Sequence, residues 1–164
     1  MNRFEQAAEE ALTTRAEMAR LVAKFDIRWA VDPSLRFPAS EADCPPIGWA
    51  GLVEKLVHEL LRRGWDRKLT EANEKLGVLR FEIDGDAAAL HAAINRAIDR
   101  SAHTCGECGA PGELRDGKLI VARCDRHAAP GAPLVSMKRT GKRQVLVARS
   151  AAVPRKSKRT RASS

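Results

Sequence analysis

The chain is poor in aromatic side chains: Phe and Trp together make up 4% of its 164 residues, and Tyr is absent. A stacking platform for single-stranded bases is built from exposed rings, so that mode of binding is disfavoured. With few rings and much Ala and Leu, the core is expected to be aliphatic and largely helical. Long apolar runs are also missing, and nothing approaches the roughly 20 residues needed to span a bilayer. Glu5, Glu9 and Glu10 stand where an export signal needs a basic start and an unbroken apolar stretch, so a cytoplasmic location is expected. Thiols stay reduced in that compartment, which turns the four cysteines toward metal rather than cross-linking.

Catalytic signatures are missing as well. The sequence has no Gly-rich phosphate loop followed by Lys, no nucleophile elbow and no His-Glu-x-x-His, and it reads as non-enzymatic. Asp84 and Asp86 flank Gly85, an arrangement some metal-dependent nucleases use. Two-metal cleavage needs further carboxylates that the sequence does not locate, and Asp-Gly-Asp after a strand is ordinary turn chemistry.

The last absence is of acidic residues: none follows Asp125. Of the 29 basic residues, ten lie at the C-terminal end: Lys138, Arg139, Lys142, Arg143, Arg149, Arg155, Lys156, Lys158, Arg159 and Arg161. The first 137 positions then hold 19 bases against 21 acids, so the body carries about −2 of the net +8. Such segregation is the footprint of a phosphate-binding arm; the alternative is a solvated tail that keeps the protein soluble.

What the chain does carry is Cys105-Gly-Glu-Cys108 and, fifteen residues later, Cys124-Asp-Arg-His127. Three thiolates and one imidazole close a tetrahedral shell around zinc and leave no open position, so the expected cofactor is a structural Zn2+. Four unmetallated groups on a surface loop, or a disulfide, are the alternatives. His103 competes as fourth ligand, but His127 completes the symmetric spacing. Cys44, before Pro45-Pro46, reads as an incidental thiol.

Between the pairs, Gly109-Ala-Pro-Gly112 suits a tight return. Asp116-Gly117 is a two-residue hairpin signal between strands at about Glu113 to Arg115 and Lys118 to Arg123. The Pro130-Gly131-Ala-Pro133 stretch cannot begin a long helix, which favours a zinc ribbon over a treble clef.

Upstream, Phe4, Ala8, Ala11, Leu12, Met18, Val22 and Phe25 predict an amphipathic helix over 2–25. Ile27, Trp29 and Val31 alternate like a short strand, before a proline-marked connector to Pro46. Trp49, Leu52, Val53, Leu56, Val57, Leu60 and Leu61 form a second helical stripe ended by Gly64, with His58 as packing or surface. Val78–Ile83 alternates as a strand, Leu69–Leu76 is open between helix and strand, and Asp86 is placed to cap a third helix from Ala87 to Arg100. Beyond the ribbon, Leu134 to Met137 and Gln144 to Ala148 flank Lys138 to Arg143 as a hairpin with a basic tip.

The fold class is therefore α+β: a helical body with a short β-sheet (1–103), a zinc-ribbon-like Cys3His knuckle with a basic hairpin (104–149), and a disordered basic tail (150–164).

The Glu74-Lys75-Leu76-Gly77-Val78-Leu79-Arg80-Phe81 segment, the Gly48-Trp49 helix start and the Cys-x-x-Cys-Gly … Cys-Asp-x-His-Ala pattern together resemble a family of small uncharacterised bacterial and phage-borne zinc-ribbon-like proteins. The resemblance covers about Trp49 to Ala128. It implies metal ligation by Cys105, Cys108, Cys124 and His127, and a structural turn and strand at Gly77, Leu79 and Arg80. Leu76 and Glu82 depart from the Phe and Tyr usual in that family, and no activity comes with it.

The function expected is a zinc-stabilised nucleic-acid-binding accessory protein, acting most readily on DNA with weak sequence selectivity through the ten C-terminal bases. The alternative is a protein-binding adaptor or inhibitor of a bacterial or phage nucleic-acid machine, with the first helix as docking element. Neither a membrane nor a small-molecule substrate is expected.

Overall fold

A computed structural model of the chain describes residues 3–29, 44–140 and 143–148. It is α+β, with three α-helices and short, mainly antiparallel sheets among those residues. No described helix is long and apolar enough to cross a membrane.

Helix α1 (Arg3–Phe25) turns Met18 and Leu21 into the core, with Val22 and Phe25 against it, which is one stripe at helical spacing. It ends in a Schellman motif: the Asp26 and Ile27 N–H groups donate to the carbonyls of Ala23 and Val22, with Asp26 in the left-handed region at φ 49°. A 3-10 turn (Ile47–Trp49) leads into α2 (Ala50–Arg62), which buries Val53, Leu56, Val57 and Leu60. The same motif closes α2 around Gly64 (φ 84°), where Gly64 and Trp65 donate to Leu61 and Leu60. Across the α1–α2 face, Glu54 accepts from both Arg20 and Lys24.

The first sheet has the order β1 (Arg28–Trp29), β2 (Lys68–Lys75), β3 (Val78–Ile83); β1 is parallel to β2 and β3 is antiparallel to it. The open reading of Leu69–Leu76 resolves as a strand. A bulge between Leu69 and Glu71 puts Leu69 and Ala72, three apart, on the same buried face, and that spacing imitates a helix. Lys75 pairs with Val78, and the two-residue turn between them, Leu76-Gly77, has φ of 52° and 80°, as a type I′ hairpin requires.

Helix α3 (Ala88–Ser101) buries Leu90, Ala93, Ile94 and Ala97 against α2 and β3. Its N-cap position holds Ala87 and no side chain caps it. The expected Asp86 cap is not made, because the helix starts one residue later than the sequence suggests. At the other end, the wholly buried Ser101 hydroxyl donates to Ile98 O (2.6 Å) and accepts from the Leu79 N–H (2.8 Å), tying α3 to the edge of β3.

The chain then forms β4 (Glu113–Asp116) and β5 (Ile120–Arg123), an antiparallel hairpin. Asp116 pairs with Ile120, so the loop has three residues, Gly117 to Leu119, not the two expected. Leu119, expected in the strand, stands 75% exposed at the tip. Strands β6 (Val135–Thr140) and β7 (Arg143–Ala148) make a second hairpin, stitched to β4 by an Arg115–Leu134 bridge and by the Asp116 N–H on Pro133 O at 2.9 Å. The stretch read as a basic tip is taken largely into strand: Lys138 pairs with Val145, Arg139 with Gln144 and Thr140 with Arg143.

Leu114, Ala122 and Val135 belong to the same hydrophobic cluster as Met18, Trp49 and Phe81, so one core runs across residue 103. The proline-marked connector over 30–43, including Val31, and the basic segment from Arg149 onward lie outside the described residues.

Candidate metal centre

Cys105 and Cys108 sit in the turn that follows α3, and Cys124 and His127 in the turn that follows β5. The β4–β5 hairpin folds one turn back onto the other. One ligand atom from each of the four residues then lies within 4.8 Å of all the others. The His127 ring presents Nδ1, 3.3 Å from Cys124 Sγ and 3.5 Å from Cys105 Sγ, while Cys108 Sγ lies 3.8 Å from Cys124 Sγ. A tetrahedron with metal–sulfur bonds of about 2.3 Å and a metal–nitrogen bond of about 2.0 Å has edges of about 3.8 Å between sulfurs and about 3.5 Å from sulfur to nitrogen. The donor set fits a closed four-coordinate ion of the zinc type, and none of the four cysteines is in a disulfide.

Burial pushes the Cys105 thiol up, but backbone N–H groups of Cys124, Cys108 and Glu107 and the His127 side chain outweigh it and bring it down to about 6. Burial likewise raises Cys124, and N–H bonds from His127 and Arg126 with the Cys108 thiol lower it on balance. For Cys108 the Ala110 N–H pulls down, yet burial and the two neighbouring sulfurs leave it raised. Cys105 and Cys124 raise His127. Negative charge crowds into a small space, which is what a divalent cation relieves. Behind the ring, Glu107 Oε2 lies 3.7 Å from His127 Nε2, while its Oε1 pairs with Arg123 Nε at 3.0 Å. At that distance the carboxylate acts on the non-ligating nitrogen by charge, from the side where the outer partner of a metal-bound histidine usually stands.

The first knuckle is seated on the start of α2. Trp49, almost wholly buried, donates from Nε1 to Thr104 O at 2.8 Å, and the Gly48 N–H donates to Gly106 O at 2.9 Å. A Cβ on Gly48 would collide with Cys105 O and come within 2.7 Å of Gly106 O. A Cβ on Gly109, which sits at φ 74°, would in turn lie 2.8 Å from Gly48 O.

The structure thus brings together the four residues chosen as ligands. His103 is exposed and outside the cluster, and Cys44 is buried in the core. Asp84 and Asp86 are exposed, and no third ligand joins them at metal-binding distance among the described residues. Lys138 is exposed. Arg139 and Arg143 are placed as strand backbone, while Lys142, Arg149, Arg155, Lys156, Lys158, Arg159 and Arg161 lie outside the described residues. Glu107 and Arg123 were not foreseen as partners of the cluster. The signal available was an acid between the two cysteines of the first pair.

In comparisons with known proteins, no family profile, no curated protein and no solved structure matches this chain.

Proposed function

We propose that this is a non-enzymatic nucleic-acid-binding protein, stapled by a zinc ion on Cys105, Cys108, Cys124 and His127, that holds DNA or RNA through its basic C-terminal third. The ion supplies structure only, since its four protein ligands leave no position for substrate water. The observation that carries the binding reading is the placement of charge: ten bases from Lys138 onward and no acid after Asp125. The β6–β7 hairpin supports it, because it begins beside β4 and gathers Lys138, Arg139 and Arg143 as strand positions on one two-stranded ribbon. Contacts of this kind draw affinity from counterion release and position the protein without reading sequence.

Fluorescence anisotropy of labelled duplex and single-stranded probes, at several salt concentrations, tests it. The expected result is weakly selective binding that falls steeply with salt and is reduced by truncation after Ala148. Absence of binding at low salt, or binding unmoved by that truncation, overturns it.

A second reading, a protein-binding adaptor, is favoured by two exposed leucines, Leu76 (57%) and Leu119 (75%), on neighbouring loop tips, where Gly77 packs against Ile120. Partners kept on a nuclease-treated affinity column, and lost with Leu76→Ser and Leu119→Ser, are its expected outcome.

A further inference from the structure

Helices α2 and α3 do not close fully on each other: between them runs an open groove of about 1130 Å3 that ends at the first knuckle, against Gly48, Thr104 and Gly109. Its floor is small and apolar, with Leu52, Leu56, Ala93 and Ala97, and nothing lies within 4 Å of where a Gly51 side chain would begin. Its walls are cationic. Lys55 and Arg62 lie along α2 and Arg100 on α3, all three exposed and without an ion pair among the described residues. Two acids line it. Glu59 is already shared by Arg63 and Arg96, and Asp99 has a partner of its own. His58 and His103 also line it. Lys55, Arg62 and Arg100 thus face one trough together, whereas Lys75 and Lys118, also exposed and without an ion pair among the described residues, lie away from it. Glu17, Glu54, Glu71 and Glu82 are held in ion pairs on other faces, with Arg20, Lys24 and Arg80.

We infer that the α2–α3 groove is a second nucleic-acid contact, in which Lys55, Arg62 and Arg100 grip backbone phosphates. The occupant is chosen by charge complementarity and shape. Small-molecule clefts are mostly about 300–1,000 Å3 and enclosed, whereas an open trough with cations spaced along its walls suits a polyanion laid lengthwise. Among the described residues no Trp, Tyr or Phe lines the groove, so bases are not stacked there and the protein meets the backbone alone. This inference rests on the nucleic-acid reading above but assigns binding to a different surface from the basic C-terminus.

The test uses the full chain, the triple variant Lys55→Ala, Arg62→Ala, Arg100→Ala, and each of these truncated after Ala148, all with metal content checked. A parallel triple with Gln in place of Ala guards against misfolding, and Lys75→Ala with Lys118→Ala is the control away from the groove. Removing one phosphate-binding cation should flatten the slope of log affinity against log salt by about 0.9 on duplex. With three such cations, the wild type should therefore weaken about fortyfold more than the triple variant between 50 and 200 mM salt. The truncated protein should keep a residual salt-dependent binding that the triple substitution removes. Unchanged slope and affinity in the triple variants, with a wild type that binds through its C-terminus, overturns the groove and leaves the function reading standing. A wild type that binds neither probe overturns both.

Discussion

A methyl group at residue 48 would overlap the carbonyl oxygen of Cys105, the first of the four candidate ligands. Gly48→Ala must therefore push α2 off the knuckle, and a destabilisation of about 1–3 kcal/mol is expected from overpacking of this kind. Urea denaturation measures it, and a competing chelator should find the metal easier to remove. Position 76 runs the other way. Leu76 holds a left-handed conformation in a type I′ turn that favours Asn, and it is 57% exposed. Leu76→Asn should add about 0.5–1 kcal/mol, read as a melting temperature a few degrees higher.

The ligand atoms also set a pH dependence. Cys108 and His127 are both raised, so near neutral pH a metal ion must displace their protons, and affinity should climb as pH rises. Cys105, brought down to about 6, works in the same direction: its thiolate contributes stability above the ordinary thiol range, and the contribution is lost as pH falls through about 6. In the metal-free protein the raised His127 opposes it, contributing below the ordinary imidazole value and losing that contribution as pH rises. Competition with a chromophoric chelator between pH 5.5 and 8 should give a monotonic rise; a flat or falling profile contradicts the assignment.

Among the elements, Ser101 is the tie between α3 and the first sheet. Ser101→Ala leaves the Leu79 N–H without its partner in a dry site, which should cost about 1–3 kcal/mol in equilibrium unfolding. The sequence offers no sign of this bond, because its partners are 22 residues apart. What was legible followed local rules. Leucines and valines at three- and four-residue spacing marked α2, Gly64 marked its end, and alternation marked Val78–Ile83. Where one residue stood in for another, the rules misled. Asp26 holds a position that usually falls to glycine, and the bulge before Glu71 gave β2 a helical spacing. Asp116-Gly117 looked like a complete two-residue turn, although the hairpin needs one residue more.

For the whole molecule, the cluster of Cys105, Cys108, Cys124 and His127 was readable because chelation demands residue types and spacing that survive any folding of the chain between them. Their seat on Gly48 and Trp49 was not, since it depends on α2 returning to the knuckle across more than fifty residues. That seat joins the metal centre to the core that also holds Leu114, Ala122 and Val135. Metal removal should then loosen the start of α2 along with the β4–β5 hairpin. Hydrogen exchange should show reduced protection at Gly48 and Gly106 together; a reduction confined to the loops would mean that the knuckles are independent of the body.

The most direct measurement is the mass of the natively purified full chain, taken before and after chelation, with thiol alkylation alongside. One zinc ion per chain is expected, with Cys105, Cys108 and Cys124 protected from alkylation until the ion is withdrawn. A chain that carries no stoichiometric metal, or one in which these thiols react freely or are found cross-linked, would contradict the proposed clasp.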